Sequence, residues 1–82
     1  MAVEKGAEIT IQCKKPVRSE LQELLLKKLN SDPLIENVLS VGDNQVRAIG
    51  SMWDFKQAVA EFIKEQKLAK TQIVIKPKEI RV

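Results

Sequence analysis

The chain has 82 residues, 44% apolar and 30% charged, with a formal net charge of +3 and neither histidine nor tyrosine. A chain this short encloses one modest apolar core, so residues 1–82 read as a single globular domain, and the few glycines and prolines exclude a disordered or fibrous class. Without histidine, without an acid, base and nucleophile set, and with Cys13 as its lone cysteine, the sequence points to no enzyme activity, no cofactor, no metal and no internal disulfide.

Ala7, Ile9, Ile11 and Cys13 alternate with Glu8, Thr10 and Gln12, the period-two pattern of a strand with one buried face, predicted over residues 7–13. Lys14-Lys15-Pro16 follows, and proline fits the first turn of a helix, where its missing N–H costs nothing. Leu21, Leu24, Leu25 and Leu29 then recur at spacings of three and four, with acids early and lysines late to suit the helix dipole. Ser31-Asp32-Pro33 ends this helix near Asn30, because the residue before a proline is pushed out of the helical region.

Val38–Val41 and Gln45–Ile49 are β-prone runs joined by Gly42-Asp43-Asn44, residues that tolerate the left-handed backbone of a tight hairpin. Ser51 is a good N-cap, and Asp54 three residues later makes an aspartate version of the capping box. The second helix carries Met52, Phe55, Val59, Phe62 and Ile63 as its apolar stripe and fades after Gln66. Thr71–Lys76 reads as a last strand that Lys78–Val82 extends, with Pro77 confining it to a sheet edge or a bulge.

The resulting order, β-α-β-β-α-β, is the ferredoxin-like two-layer α+β sandwich, with two helices on one face of a four-stranded sheet. No repeat or low-complexity segment breaks the chain. No apolar run approaches the roughly 18 to 20 residues that cross a bilayer, and no signal peptide opens it, so a cytoplasmic protein without a membrane partner is expected.

Charge is grouped rather than diluted. Residues 30–54 are acidic, with Asp32, Glu36, Asp43 and Asp54 against Arg47 alone, whereas lysines and arginine dominate residues 56–82 and Lys14, Lys15 and Arg18 cluster near the start. Trp53 falls away from the apolar stripe of its helix, on the side that carries Lys56, Gln57, Ala60, Lys64 and Lys67. An indole among lysines suits nucleic acid, since the ring stacks on a base or sugar while the ammonium groups neutralise phosphates. The plainer reading is an indole folded back over the domain edge and a solvated lysine face. Lys14 and Lys15, at a strand–helix junction, suit binding because a rigid scaffold presents such loops; they also suit a solvated loop.

Lys14-Lys15-Pro16-Val17 joining a strand to a helix resembles the Alba family of archaeal chromatin proteins. Val46-Arg47-Ala48-Ile49-Gly50, Ala58-Val59 and Lys78-Glu79-Ile80-Arg81-Val82 are similar to later segments of that family, so that the resemblance touches about half the chain in short pieces. It implies nucleic-acid binding, with Lys14, Lys15 and Arg47 on the phosphate backbone. It also implies the order β-α-β-α-β-β, closed by a hairpin arm, as the alternative to a hairpin between the helices. The chain stops where the returning strand of that arm would begin, and it is longer than the family pattern between Gly50 and Ala58-Val59.

Other nucleic-acid modules fit less well. The RNA-recognition motif needs aromatic side chains on its central strands, and Ala7–Cys13 and Gln45–Ile49 hold none; the three glycines form no G-x-x-G clamp. Zinc-finger and phosphate-loop signatures are missing too. Cys13 reads as a small buried hydrophobe, and Asp43 and Asp54 as turn and cap residues.

The expectation is a small basic protein that binds DNA or RNA through the phosphate backbone with little sequence specificity. Its contacts would be Lys14, Lys15, Arg18, Arg47, Trp53, Lys56, Lys64 and Lys67. The alternative is a protein-interaction or homodimerisation module using a sheet face or edge.

Overall fold

The computed structural model describes residues 3–14 and 17–81, Arg81 by its backbone. In chain order it has β1 (Val3–Ile11), α1 (Val17–Asn30), β2 (Glu36–Val41), β3 (Gln45–Ile49), α2 (Met52–Gln66), a 3₁₀ turn at Lys70–Gln72, and β4 (Ile73–Arg81). The order is therefore β-α-β-β-α-β, with the hairpin between the helices. The four strands form one antiparallel sheet in the spatial order β2-β3-β1-β4.

One face of the sheet carries the core. Ala7, Ile9 and Ile11 of β1 and Val46 and Ala48 of β3 point under the helices and meet Leu21, Leu25 and Leu29 of α1 and Phe55, Ala58, Val59 and Phe62 of α2, all buried. The strand alternation and the helical stripes of the sequence thus find each other, and this burial is the main force for folding. Leu24 departs from the expected stripe of α1 and stands exposed, while Leu26 packs partly on the core. Cys13 lies beyond the end of β1, half-buried against the core, with its thiol donating to the Gln72 Oε1 at 3.3 Å.

The strand bounds differ from the expected ones: β1 ends at Ile11 rather than Cys13, and β4 starts at Ile73, after the 3₁₀ turn, rather than at Thr71. β1 begins at Val3 rather than Ala7, and β4 continues through Pro77 to Arg81 as expected, because the two pair along their whole length from Val3↔Arg81 to Ile11↔Ile73. The Gln12 N–H bonds the Gln72 carbonyl and the Ile11 N–H bonds the Asn44 carbonyl, each at 2.7 Å, so amides of even-numbered residues point toward β4 and odd-numbered ones toward β3. Pro77 faces Ala7 in this register, which places its missing N–H on the free edge of β4, where no ladder bond is lost.

α2 starts and stops on capping motifs. Ser51 accepts a hydrogen bond from the Asp54 N–H at 3.2 Å, and its hydroxyl donates to the Asp54 carboxylate at 2.7 Å. At the other end Lys67 takes a left-handed conformation (φ 56°), the Leu68 N–H reaches the Ile63 carbonyl at 3.0 Å and the Lys67 N–H reaches that of Lys64 at 3.4 Å. This is a Schellman ending, with lysine where glycine is usual.

Candidate nucleic-acid interface

Two helix faces and one sheet face compete for the charged side chains, and the fold sorts them. On α2, Glu61 and Glu65 turn toward α1, where the Lys28 ammonium donates to both, at 3.1 and 2.5 Å. Those two bonds, Glu65 first, push the Lys28 pKa above its ordinary value of 10.5 against a weaker desolvation effect. Asp54 is held by Ser51 at the helix start. The acids of α2 are thus engaged by α1 and by the N-cap.

The solvent side of α2 is left cationic. Trp53, Lys56, Gln57, Ala60, Lys64 and Lys67 are all exposed, and among the described residues no ion pair involves Lys56, Lys64 or Lys67. From Lys56 to Lys67 the row runs about 16 Å along the helix. The Trp53 indole is 69% exposed and does not fold back over the domain edge.

Lys14 lies at the far end of this row rather than beside Trp53. α2 begins next to β1's first half, where the Gly50 N–H bonds the Lys5 carbonyl, and runs back toward β1's end, where Gln12 bonds Gln72. Lys14, Lys67 and Lys70 therefore share the end of the sheet from which β1 leaves, and all three are exposed. The Lys14 carbonyl accepts from the Arg18 N–H at 3.2 Å, which anchors the junction to the first turn of α1. Lys15 lies outside the described residues.

The two arginines are committed elsewhere. Arg18 donates from Nη2 to the Asp43 carboxylate at 2.6 Å, tying α1 to the β2–β3 turn, and its buried Nε has no hydrogen-bond partner among the described residues. The buried Gln22 amide supports the same turn by donating to the carbonyls of Gly42 and Gln45 at 3.2 and 2.9 Å. Arg47 lies on the open face of the sheet, where its Nε and the Lys78 ammonium both donate to the Glu8 carboxylate, at 2.9 and 3.3 Å. The Arg47 bond, then that of Lys78, holds the Glu8 pKa below its ordinary 4.5.

Lys70 and Gln22 escaped the sequence reading. Lys70 opens the 3₁₀ turn that the Gln12–Gln72 bond ties to β1, and Gln22 is a polar residue on the inner side of a helix, which periodicity alone assigns to solvent. Among the described residues no group of three or more histidine, cysteine or carboxylate side chains could hold a metal ion, and no helix is long and apolar enough to cross a membrane.

The edges of the sheet bear on strand addition. Register and Pro77 leave the free edge of β4 with a gap in its row of donors, flanked by exposed Lys76 and Lys78. The other edge, β2, is broken by a register shift between Glu36 and Leu39, where Asn37 has φ 51°. Proline, lysine and bulges are the usual devices that keep edges from pairing. No family model, curated protein or solved structure matches this chain.

Proposed function

We propose that this domain binds nucleic acid through the phosphate backbone, with little sequence preference. The observation that carries the reading is the segregation of charge on α2: its glutamates are drawn to Lys28, while Lys56, Lys64 and Lys67 stand exposed in one row with Trp53 at its start. Lys70 flanks the row across the groove it lines with Lys56 and Ala60, and Lys14 lies at the Lys67 end. Ammonium groups without internal partners release counterions when they meet phosphates, and this is the sequence-independent part of nucleic-acid affinity. The resemblance of the Lys14-Lys15-Pro16-Val17 junction to the Alba family supports the same reading, with Lys15 beside Lys14. Arg18 and Arg47 are secondary in it, because contact with phosphate would compete with Asp43 and Glu8.

The test is a titration with labelled duplex DNA and labelled single-stranded RNA, read by anisotropy and by Trp53 fluorescence at low and physiological salt. Four or five engaged lysines predict a slope of log affinity on log salt of about −4 for duplex. Silence of both labels at low salt would sink the reading.

A second reading, self-association or docking of another protein, draws on apolar side chains at the β2 edge: Leu34 and Leu39 are 63% and 51% exposed. Sedimentation of the domain alone and of a Leu34→Ser, Leu39→Ser variant tests it. A dimer that the variant dissolves would favour it.

A further inference from the structure

We infer that the α2 surface is built for a single strand rather than a duplex, with Trp53 as a stacking platform for an unpaired base. The inference rests on the nucleic-acid reading above and names its substrate class.

The chain has three aromatic residues, and the fold treats them in opposite ways. Phe55 and Phe62 are sealed in the core, while Trp53, two positions before Phe55 on the same helix, is held out in water. Its neighbours one turn on are Lys56 and Gln57, then Ala60, and all are exposed. The nearest acid, Asp54, is bonded to Ser51. An incoming phosphate beside the ring therefore meets Lys56 without a competing free carboxylate from the first turn of α2.

An exposed indole gains most from a flat, apolar surface it can cover, and a nucleobase offers one only when it is not stacked between its neighbours. In a duplex the base faces are already stacked, so the ring could reach them only by wedging a step apart, which costs unstacking energy. The edges that remain in the grooves are read by arginine, lysine, asparagine or glutamine, and this face of α2 offers Gln57 and lysines that phosphates would occupy. A single strand asks for what the face has, a cationic track along its backbone and a ring for a base.

The experiment compares one short labelled strand of mixed sequence, alone and annealed to its complement, against the wild-type domain, Trp53→Phe and Trp53→Ala. The ring is 69% exposed, so both variants are expected to fold, and the unfolding midpoint checks that they do. The expected result is tighter binding of the single strand by about 5- to 150-fold, the range of one stacked base. Trp53→Ala should remove that margin and leave duplex affinity unchanged, while Trp53→Phe retains most of it. Equal affinities for both forms that Trp53→Ala leaves untouched would overturn the stacking role while keeping phosphate binding. Failure of both forms to bind would overturn the inference together with the function it rests on.

Discussion

The open face of the sheet and the outer face of α2 both carry several cations, and the fold treats them differently. On the sheet, Glu8 stands between Arg47 and Lys78 and takes a hydrogen bond from each. On α2 the carboxylates that could play Glu8's part, Glu61 and Glu65, are pulled round to Lys28 on the other helix. A count of lysines and arginines sees the two faces as alike. What separates them is which cations still lack an internal anion, because only those gain fully from meeting a phosphate.

The change with the largest expected effect breaks both faces together. A Cβ at Gly6 would run into the Ala48 carbonyl oxygen and come within 2.8 Å of the Ile80 Cδ1, at the point where β1 and β3 lie side by side. Gly6→Ala is expected to cost about 1–3 kcal/mol, as overpacking usually does. Chemical denaturation would show it, and nucleic-acid affinity should fall only as far as the folded fraction does.

The comparison itself breaks if the α2 lysines are idle. Replacing Lys56, Lys64 and Lys67 together by glutamine should flatten the salt slope by about 3, roughly one unit for each phosphate contact. Stability should stay within about 0.5 kcal/mol, since none of the three holds an ion pair among the described residues. A slope that does not move would place the contacts elsewhere.

Lys67→Gly sharpens the same point by separating charge from backbone. Lys67 closes α2 in a left-handed conformation that glycine adopts freely, so the substitution should raise stability, by up to about 1 kcal/mol. The salt slope should nevertheless shrink by about one unit. A variant that is more stable and binds less well would show a cation kept where the helix ending alone favours glycine.

Much of this was readable in the sequence where the signal is local. The Ser51 cap, the hairpin glycine at 42, the proline-ended first helix and the stripe of Phe55, Val59 and Phe62 each depend on a few neighbours, and each lies where it was expected. The order of elements follows from them. The first half of β1 was not readable, because no helix covers Val3 or Lys5 and the alternation has no buried member there. Its pairing partner lies at the opposite end of the chain.

The lysine row was equally local, since helical geometry alone puts Trp53, Lys56 and Lys64 on one side, with Lys67 following at the left-handed end of the helix. Whether a given charge is spent inside the protein depends on distant residues instead. Arg18 finds Asp43 and Arg47 finds Glu8 across 25 and 39 positions, and Lys28 reaches Glu61 across 33. No spacing rule reports such pairs, which is why the arginines and the α2 lysines stood together as candidate contacts in the sequence and differ in the fold.

The smallest effect concerns acid. Glu8 has a pKa held below 4.5 in the folded domain by Arg47 and Lys78, so the folded state binds its proton less readily than the unfolded chain does. Its contribution to stability is therefore fully present above the unfolded value and is lost as pH falls through the folded one. The group is near the surface, and the pair energies there amount to about 1 kcal/mol or less. Glu8→Gln should accordingly lower stability modestly at neutral pH, and the gap to wild type should close as pH drops below about 4.5. Denaturant midpoints measured across that window check the sign. The same substitution also releases Arg47 and Lys78 on the open face, so it asks whether a lost carboxylate is enough to turn one face into the other. A steeper salt slope for Glu8→Gln would say that it is, and an unchanged slope would mean that the row along α2, with its indole, has a geometry that free charge alone does not supply.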